Sequence, residues 1–144
     1  MARSRGAVRV LHLDDETEVL EVTGQLLEAQ HDRLTVEQVR STAGALDRLD
    51  EADCVVTDYV MPEMDGAKFL SEVRRSRPSL PVVFFTGRDA GDLDEAVFAD
   101  DLTDHVRKGV STDQYGTLAD AVADLVDETD PAGRTVEVEN GPGE

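Results

Sequence analysis

The chain has 144 residues, enough for one domain with its own core, and 32 acidic against 14 basic residues leave it a formal net charge of -18. That surplus excludes nucleic-acid binding through a general basic surface and opposes docking on an anionic membrane, because both need clustered Lys and Arg. The single Cys54 excludes an internal disulfide framework and a cysteine-based zinc site, and 40% hydrophobic residues are too many for an acidic disordered chain.

Residues 1–7 read as an N-terminal extension. The early arginines are not followed by an apolar signal region, since His12, Asp14 and Asp15 interrupt it. No apolar run approaches the roughly 18 residues that a membrane span requires, so a cytoplasmic protein is expected. Val8–Leu13 is a strand candidate that stops at Asp14-Asp15. A helix follows from about Glu16 to Gln30, with Val19, Val22, Leu26 and Leu27 on one side, and Asp15 could cap it with Glu18 as capping-box partner. Leu34–Val39 is a half-polar strand near an edge, and Ala45, Leu46 and Leu49 mark a short second helix. Cys54–Thr57 reads as a buried strand of the parallel-sheet kind, with Cys54 a small buried hydrophobe.

A turn-rich loop, Met61-Pro62-Glu63-Met64-Asp65-Gly66, precedes a helix over about Ala67–Ser76 that buries Phe69, Leu70 and Val73. Pro81–Phe85 is the most hydrophobic segment and is expected to be a central strand. Asp92–Ala99 follows as a short helix with Leu93, Ala96 and Val97 inward, then a weak strand over Thr103–Arg107. The last helix, from Thr112 to about Thr129, carries the clearest apolar stripe: Tyr115, Leu118, Ala119, Val122, Leu125 and Val126. From Asp130 onward, Pro and Gly suggest a disordered tail or linker stub. Five strand–helix units predict an α/β fold, an open parallel sheet with helices on both faces over residues 8–129. In such sheets ligands bind beyond the carboxyl ends of the strands.

Those ends carry Asp14-Asp15, Asp58, Thr86 and, near the fifth, Lys108. Carboxylates brought together repel unless a cation neutralises them, and a hard divalent ion suits oxygen ligands. With an amine and a hydroxyl beside it, such a cluster is suited to a phosphoryl group. Each residue alone also has an ordinary reading: Asp14-Asp15 as a helix cap, Asp58 as a loop carboxylate, Thr86-Gly87 as a helix start, Lys108 as a solvated lysine. Lysine occurs only at Lys68 and Lys108, however, the other twelve basic residues being arginine. Retaining a compact ammonium at Lys108 in such a chain suggests a site that needs it. The same acid-rich, lysine-poor composition resembles proteins of salt-loving archaea, where strong salt screens self-repulsion.

Taken jointly, Asp14-Asp15, the run Asp58-Tyr59-Val60-Met61-Pro62-Glu63-Met64-Asp65-Gly66, Thr86-Gly87 and Lys108 resemble the receiver domain of two-component response regulators. The intervals of 43, 28 and 22 residues from Asp15 through Asp58 and Thr86 to Lys108 fit that family. The resemblance covers about Val8 to Glu128. Thr57–Leu70, Lys108-Gly109 and Thr112-Asp113-Gln114-Tyr115 look closest to haloarchaeal receivers that precede sensor histidine kinases.

The resemblance implies a flavodoxin-like doubly wound sheet of strand order 2-1-3-4-5. It implies Asp58 as the acceptor of a phosphoryl group from a kinase phosphohistidine, and Mg²⁺ held by Asp15, Asp58 and the Val60 backbone carbonyl, with Asp14 assisting. Lys108 would pair with the phosphoryl oxygens, and Thr86 would turn toward them. Two positions depart from the family pattern. His105 stands where an aromatic switch residue is usual, and Lys108-Gly109 replaces Lys-Pro.

The implied partners are a sensor histidine kinase or phosphotransfer protein, and a downstream protein or a C-terminal domain absent from this sequence. A homodimer through the face of the fourth helix, fifth strand and last helix, which contains Phe98 and His105, is also implied, with no direct contact to nucleic acid or membrane. Such a domain is not an enzyme, although it assists its own phosphorylation. Two alternatives stand beside it: a Mg²⁺-dependent aspartyl-phosphate phosphatase or phosphotransferase, and a receiver-shaped binding module that no longer uses phosphate.

Overall fold

The computed structural model describes residues 7–109 and 113–128. Ten elements alternate along the chain: β1 (Val8–Leu13), α1 (Thr17–Gln30), β2 (Leu34–Val39), α2 (Thr42–Asp47), β3 (Cys54–Thr57), α3 (Gly66–Ser76), β4 (Val82–Thr86), α4 (Glu95–Ala99), β5 (Thr103–Arg107) and α5 (Gln114–Asp127). The strands pair in parallel in the order β2-β1-β3-β4-β5, the flavodoxin-like order expected. The half-polar β2 is indeed an edge strand. The extension before residue 7, the helix start at Thr112, its end near Thr129 and the tail from Asp130 lie outside the described residues.

Alternation along the buried strands sorts the core into two layers. Leu11, Leu13, Val55 and Phe84 meet Ala45, Phe69, Leu70, Val73 and Val97 on one face of the sheet. Val10, Cys54, Val56, Phe85 and Val106 meet Leu27, Leu118, Val122 and Leu125 on the other. Phe69, Phe84 and Phe85 are fully buried, each contributing about 2 kcal/mol of transfer free energy. Cys54 is a fully buried thiol in this layer, and burial pushes its ionisation up.

Several local expectations are corrected. In α1 the buried residues are Leu20, Thr23, Gly24 and Leu27, whereas Val22 and Leu26 are exposed. The helix is thus rotated about one residue from the apolar stripe expected, because Gly24 lets it lie close against Val36 and Gln38 of β2; an added Cβ would already touch both at 3.5–3.6 Å. The N-cap of α1 is Glu16 with no side-chain cap bond, not Asp15. Asp14 Oδ1 accepts from the Glu16 N–H at 3.0 Å instead.

Asp65 caps α3 through Lys68 N–H at 2.9 Å, so that helix begins at Gly66. β4 runs one residue later than expected, ending on Thr86. α4 is shorter than expected and leaves Ala96 exposed. A 3-10 turn occupies Ala90–Asp92, and Asp94 starts the helix by accepting from Ala96 N–H, while Leu93 and Val97 remain buried.

Candidate phosphoryl-acceptor site

Backbone ladders carry the site residues to one rim. Past β1, Asp14 N–H donates to the Val39 carbonyl at 3.1 Å; past β3, Asp58 N–H reaches the Leu13 carbonyl at 3.4 Å; past β5, Lys108 N–H donates to the Thr86 carbonyl at 2.7 Å. Each sheet pairing thus runs one residue beyond its strand and fixes where the next side chain starts. The rim lies where the chain's progress reverses from β1 outward to β2 and back to β3, the crevice in which such sheets bind ligands.

Here Lys108 Nζ donates to Asp14 Oδ2 at 3.1 Å and to Asp58 Oδ2 at 3.2 Å. The three side chains differ in burial: Asp14 is 1% exposed, Asp58 21% and Lys108 23%. Burial by itself lowers the pKa of Lys108, but the facing Asp58 and then Asp14 outweigh it and hold the ammonium above its ordinary value. The stem of Lys108 brings its Nζ over the Phe85 ring, 5.5 Å from the centroid, and Phe85 packs edge-on against Tyr115. Asp58 Oδ1 accepts from the Val60 N–H at 3.3 Å, which curls the loop over the carboxylate. Val60 itself is exposed.

Thr86 is buried at the base of the rim, its Oγ1 accepting from the Arg88 N–H at 3.4 Å. Asp15 stands exposed beside Asp14 and is not part of the ion pair with Lys108. Among the described residues no three His, Cys, Asp or Glu side chains gather as a metal-binding group. The donor set nevertheless fits a hard cation. One ammonium faces two carboxylates and so leaves net negative charge, and Mg²⁺ typically takes only one or two carboxylates, filling its shell with waters and phosphate oxygens.

Two residues of the site escape the sequence reading. His12, two residues before Asp14 and therefore on the same side of β1, is fully buried, and neither ring nitrogen has a hydrogen-bond partner among the described residues. Burial lowers its pKa to about 4; Asp14 and Asp58 oppose that shift and Lys108 adds to it. The polar residue within an apolar strand is the only signal the sequence offers. Tyr59 is the second: its hydroxyl accepts from Asp94 N–H at 3.0 Å, tying the loop after Asp58 to the start of α4. Nothing local in the sequence announces that contact. His105 is half-buried on β5, with Nε2 3.0 Å from the Arg88 carbonyl.

This fold and this rim of two carboxylates, an ammonium and a buried threonine are those of a signalling receiver. Residues 10–120 match the response regulator receiver domain family, and the chain belongs to it. It is a receiver domain of two-component signal transduction. One relative, a probable transcriptional regulatory protein TcrX of Mycobacterium tuberculosis, is 35% identical over 91 residues, 62% of this chain and 39% of its own length. A solved response regulator receiver domain protein from Clostridium thermocellum is 28% identical, covers 83% of this chain and 94% of its own, and superposes with a TM-score of 0.69. The structure of histidine kinase ThkA in complex with response regulator protein TrrA includes a chain of the same fold, at TM-score 0.65 and 21% identity, covering 80% of this chain and 97% of that one. The chain spans well under half the length of the curated relatives it matches first. No helix among the described residues is long and apolar enough to cross a membrane.

Proposed function

We propose that Asp58 accepts a phosphoryl group from the phosphohistidine of a partner kinase or phosphotransfer protein. The observation that carries this reading is the Lys108 ammonium held 3.1 and 3.2 Å from Asp14 and Asp58. Asp58 Oδ2 attacks phosphorus as the phosphorus–nitrogen bond breaks, the departing imidazole keeps the electron pair, and an acyl phosphate results. Lys108 then faces the new phosphoryl oxygens. Thr86 supplies a hydroxyl to one of them, and Gly87, whose position has nothing within 4 Å of an added Cβ, leaves the approach open. Asp15, Asp58 and the Val60 carbonyl would hold Mg²⁺, with Asp14 assisting. That ion supplies positive charge to offset the charge of the transferring group.

The receiver extends over residues 8–129 and works as a cytoplasmic signalling domain rather than a turnover enzyme. Its acid-rich, lysine-poor surface suits a highly saline cytoplasm. Its output runs through protein contacts on the face of α4, β5 and α5, where Phe98 is 54% exposed; a second copy of the chain, a downstream protein or a further domain docks there, and nucleic acid does not. Acetyl phosphate with Mg²⁺ labels the parent at Asp58, and Asp58→Asn abolishes the label. A variant that labels as well as the parent refutes the assignment.

A further inference from the structure

On β5 the side chains of Thr103, His105 and Arg107 share the α4 side of the sheet, and α4, only five residues long, leaves the upper two free to meet the turn after β4. Arg107 Nε donates to the Gly87 carbonyl at 2.9 Å, and its Nη1 pairs with the Asp89 carboxylate. His105 Nε2 meets the Arg88 carbonyl at 3.0 Å, and because a carbonyl only accepts, that nitrogen carries a proton. Three consecutive residues, Gly87, Arg88 and Asp89, are therefore held by two side chains of the neighbouring strand. The Arg88 N–H in turn donates to Thr86 Oγ1. With its oxygen accepting from the backbone, the Thr86 hydroxyl keeps its own proton available to donate.

We propose that Arg107 is a positioning residue for the phosphoryl site. It holds the Gly87–Asp89 turn and, through Arg88 N–H, sets the orientation of the Thr86 hydroxyl. When Thr86 moves toward a phosphoryl group it gives up Arg88 N–H, and the turn loosens against the hold of Arg107. This deepens the reading of Asp58 as phosphoacceptor and rests on it for the second half only. The alternation of the chain explains the division of labour between neighbours: Lys108 enters the site while Arg107 faces the opposite side of the sheet and grips the turn. Arginine is required because its fork reaches a carbonyl and a carboxylate together, which a lysine point charge does not.

Backbone hydrogen exchange tests the two halves separately. In metal-free, unphosphorylated protein, Arg107→Ala speeds exchange of the 87–92 amides by about tenfold, the loss of two exposed charge-assisted contacts, while β4 and α5 stay as protected as in the parent. Arg107→Lys recovers only part of that protection. Unchanged exchange in Arg107→Ala overturns the hold. Acetyl phosphate with Mg²⁺ then exposes the Arg88 amide in the parent but changes nothing further in Arg107→Ala, at equal stoichiometry of label. If phosphorylation shifts the Arg88 amide equally in both proteins, Arg107 is merely structural and the positioning role fails. If neither protein takes up label, the phosphoacceptor reading fails, and the first exchange result still decides whether Arg107 holds the turn.

Discussion

Gly66 lies at the end of the M-P-E-M-D-G run, and the structure explains it by crowding rather than by backbone conformation. A Cβ at this position would sit 2.2 and 2.7 Å from two ring carbons of Tyr59 and 2.8 Å from Phe84. Real carbon contacts lie near 3.5–4.0 Å, so the ring must retreat by more than an ångström. It has little room: Tyr59 is buried, packs edge-on against Phe84 at 5.4 Å and carries the hydrogen bond from Asp94 N–H. Overpacking of this kind costs about 1–3 kcal/mol, and losing the Asp94 bond adds about 1 kcal/mol. Alanine's better helix propensity returns less than 1 kcal/mol at this first helical position.

Gly66→Ala is therefore expected to destabilise the domain by about 2–3 kcal/mol. Urea unfolding in concentrated salt reads this as a lower midpoint with an unchanged slope. A double-mutant cycle with Tyr59→Ala isolates the cause: removing the ring relieves the two closest contacts and gives the Phe84 ring packed against it space to yield, so most of the cost of Gly66→Ala disappears. A loss below about 0.5 kcal/mol, or the same loss in the Tyr59→Ala background, refutes the crowding argument.

Two further outcomes follow from the charges of the rim. Lys108→Ala leaves the buried Asp14 facing Asp58 without its ammonium; at neutral pH without Mg²⁺ it should cost about 2 kcal/mol, and added Mg²⁺ should return part of that loss. Equal urea midpoints for parent and variant in metal-free buffer would contradict the pairing. His12 titrates near 4 when folded against an ordinary 6.5, so the unfolded chain takes up the proton first. Its stabilising contribution is complete above pH 6.5 and declines as pH falls toward 4, by about 3 kcal/mol in all. Unfolding free energies measured across that window in chelator should fall less steeply for His12→Leu than for the parent; parallel curves would show that His12 is not the group responsible.

The legible features of this chain are those in which neighbouring residues act together. Continuous apolar runs such as Cys54–Thr57 and the α5 stripe announce elements buried on both faces or on one, and the observed elements stand where these patterns put them. α1 is less legible because its packing face contains Thr23 and Gly24, which carry no apolar signal. Their value lies in allowing close approach to β2, a partner the local sequence does not name. The start of α4 shifts because the 3-10 turn over Ala90–Asp92 takes up the first residue of the expected helix and leaves the capping to Asp94.

The acidic surplus shows the same division. Composition alone argues against a general basic surface for nucleic acid, and strand ends alone nominate Asp14, Asp15, Asp58, Thr86 and Lys108, because side-chain chemistry and periodicity are local properties. Which carboxylates Lys108 joins is a matter of tertiary structure, since Asp14 and Asp58 lie 94 and 50 residues away along the chain. The parallel sheet sets their separation: β1 and β3 are adjacent, so one ammonium spans both carboxylates, while Asp15, one residue further on, remains exposed. Likewise His12 becomes an orphaned imidazole and Arg107 the grip on Gly87 and Asp89 only once the strands pair. Burial and long-range hydrogen bonding come into being with the sheet.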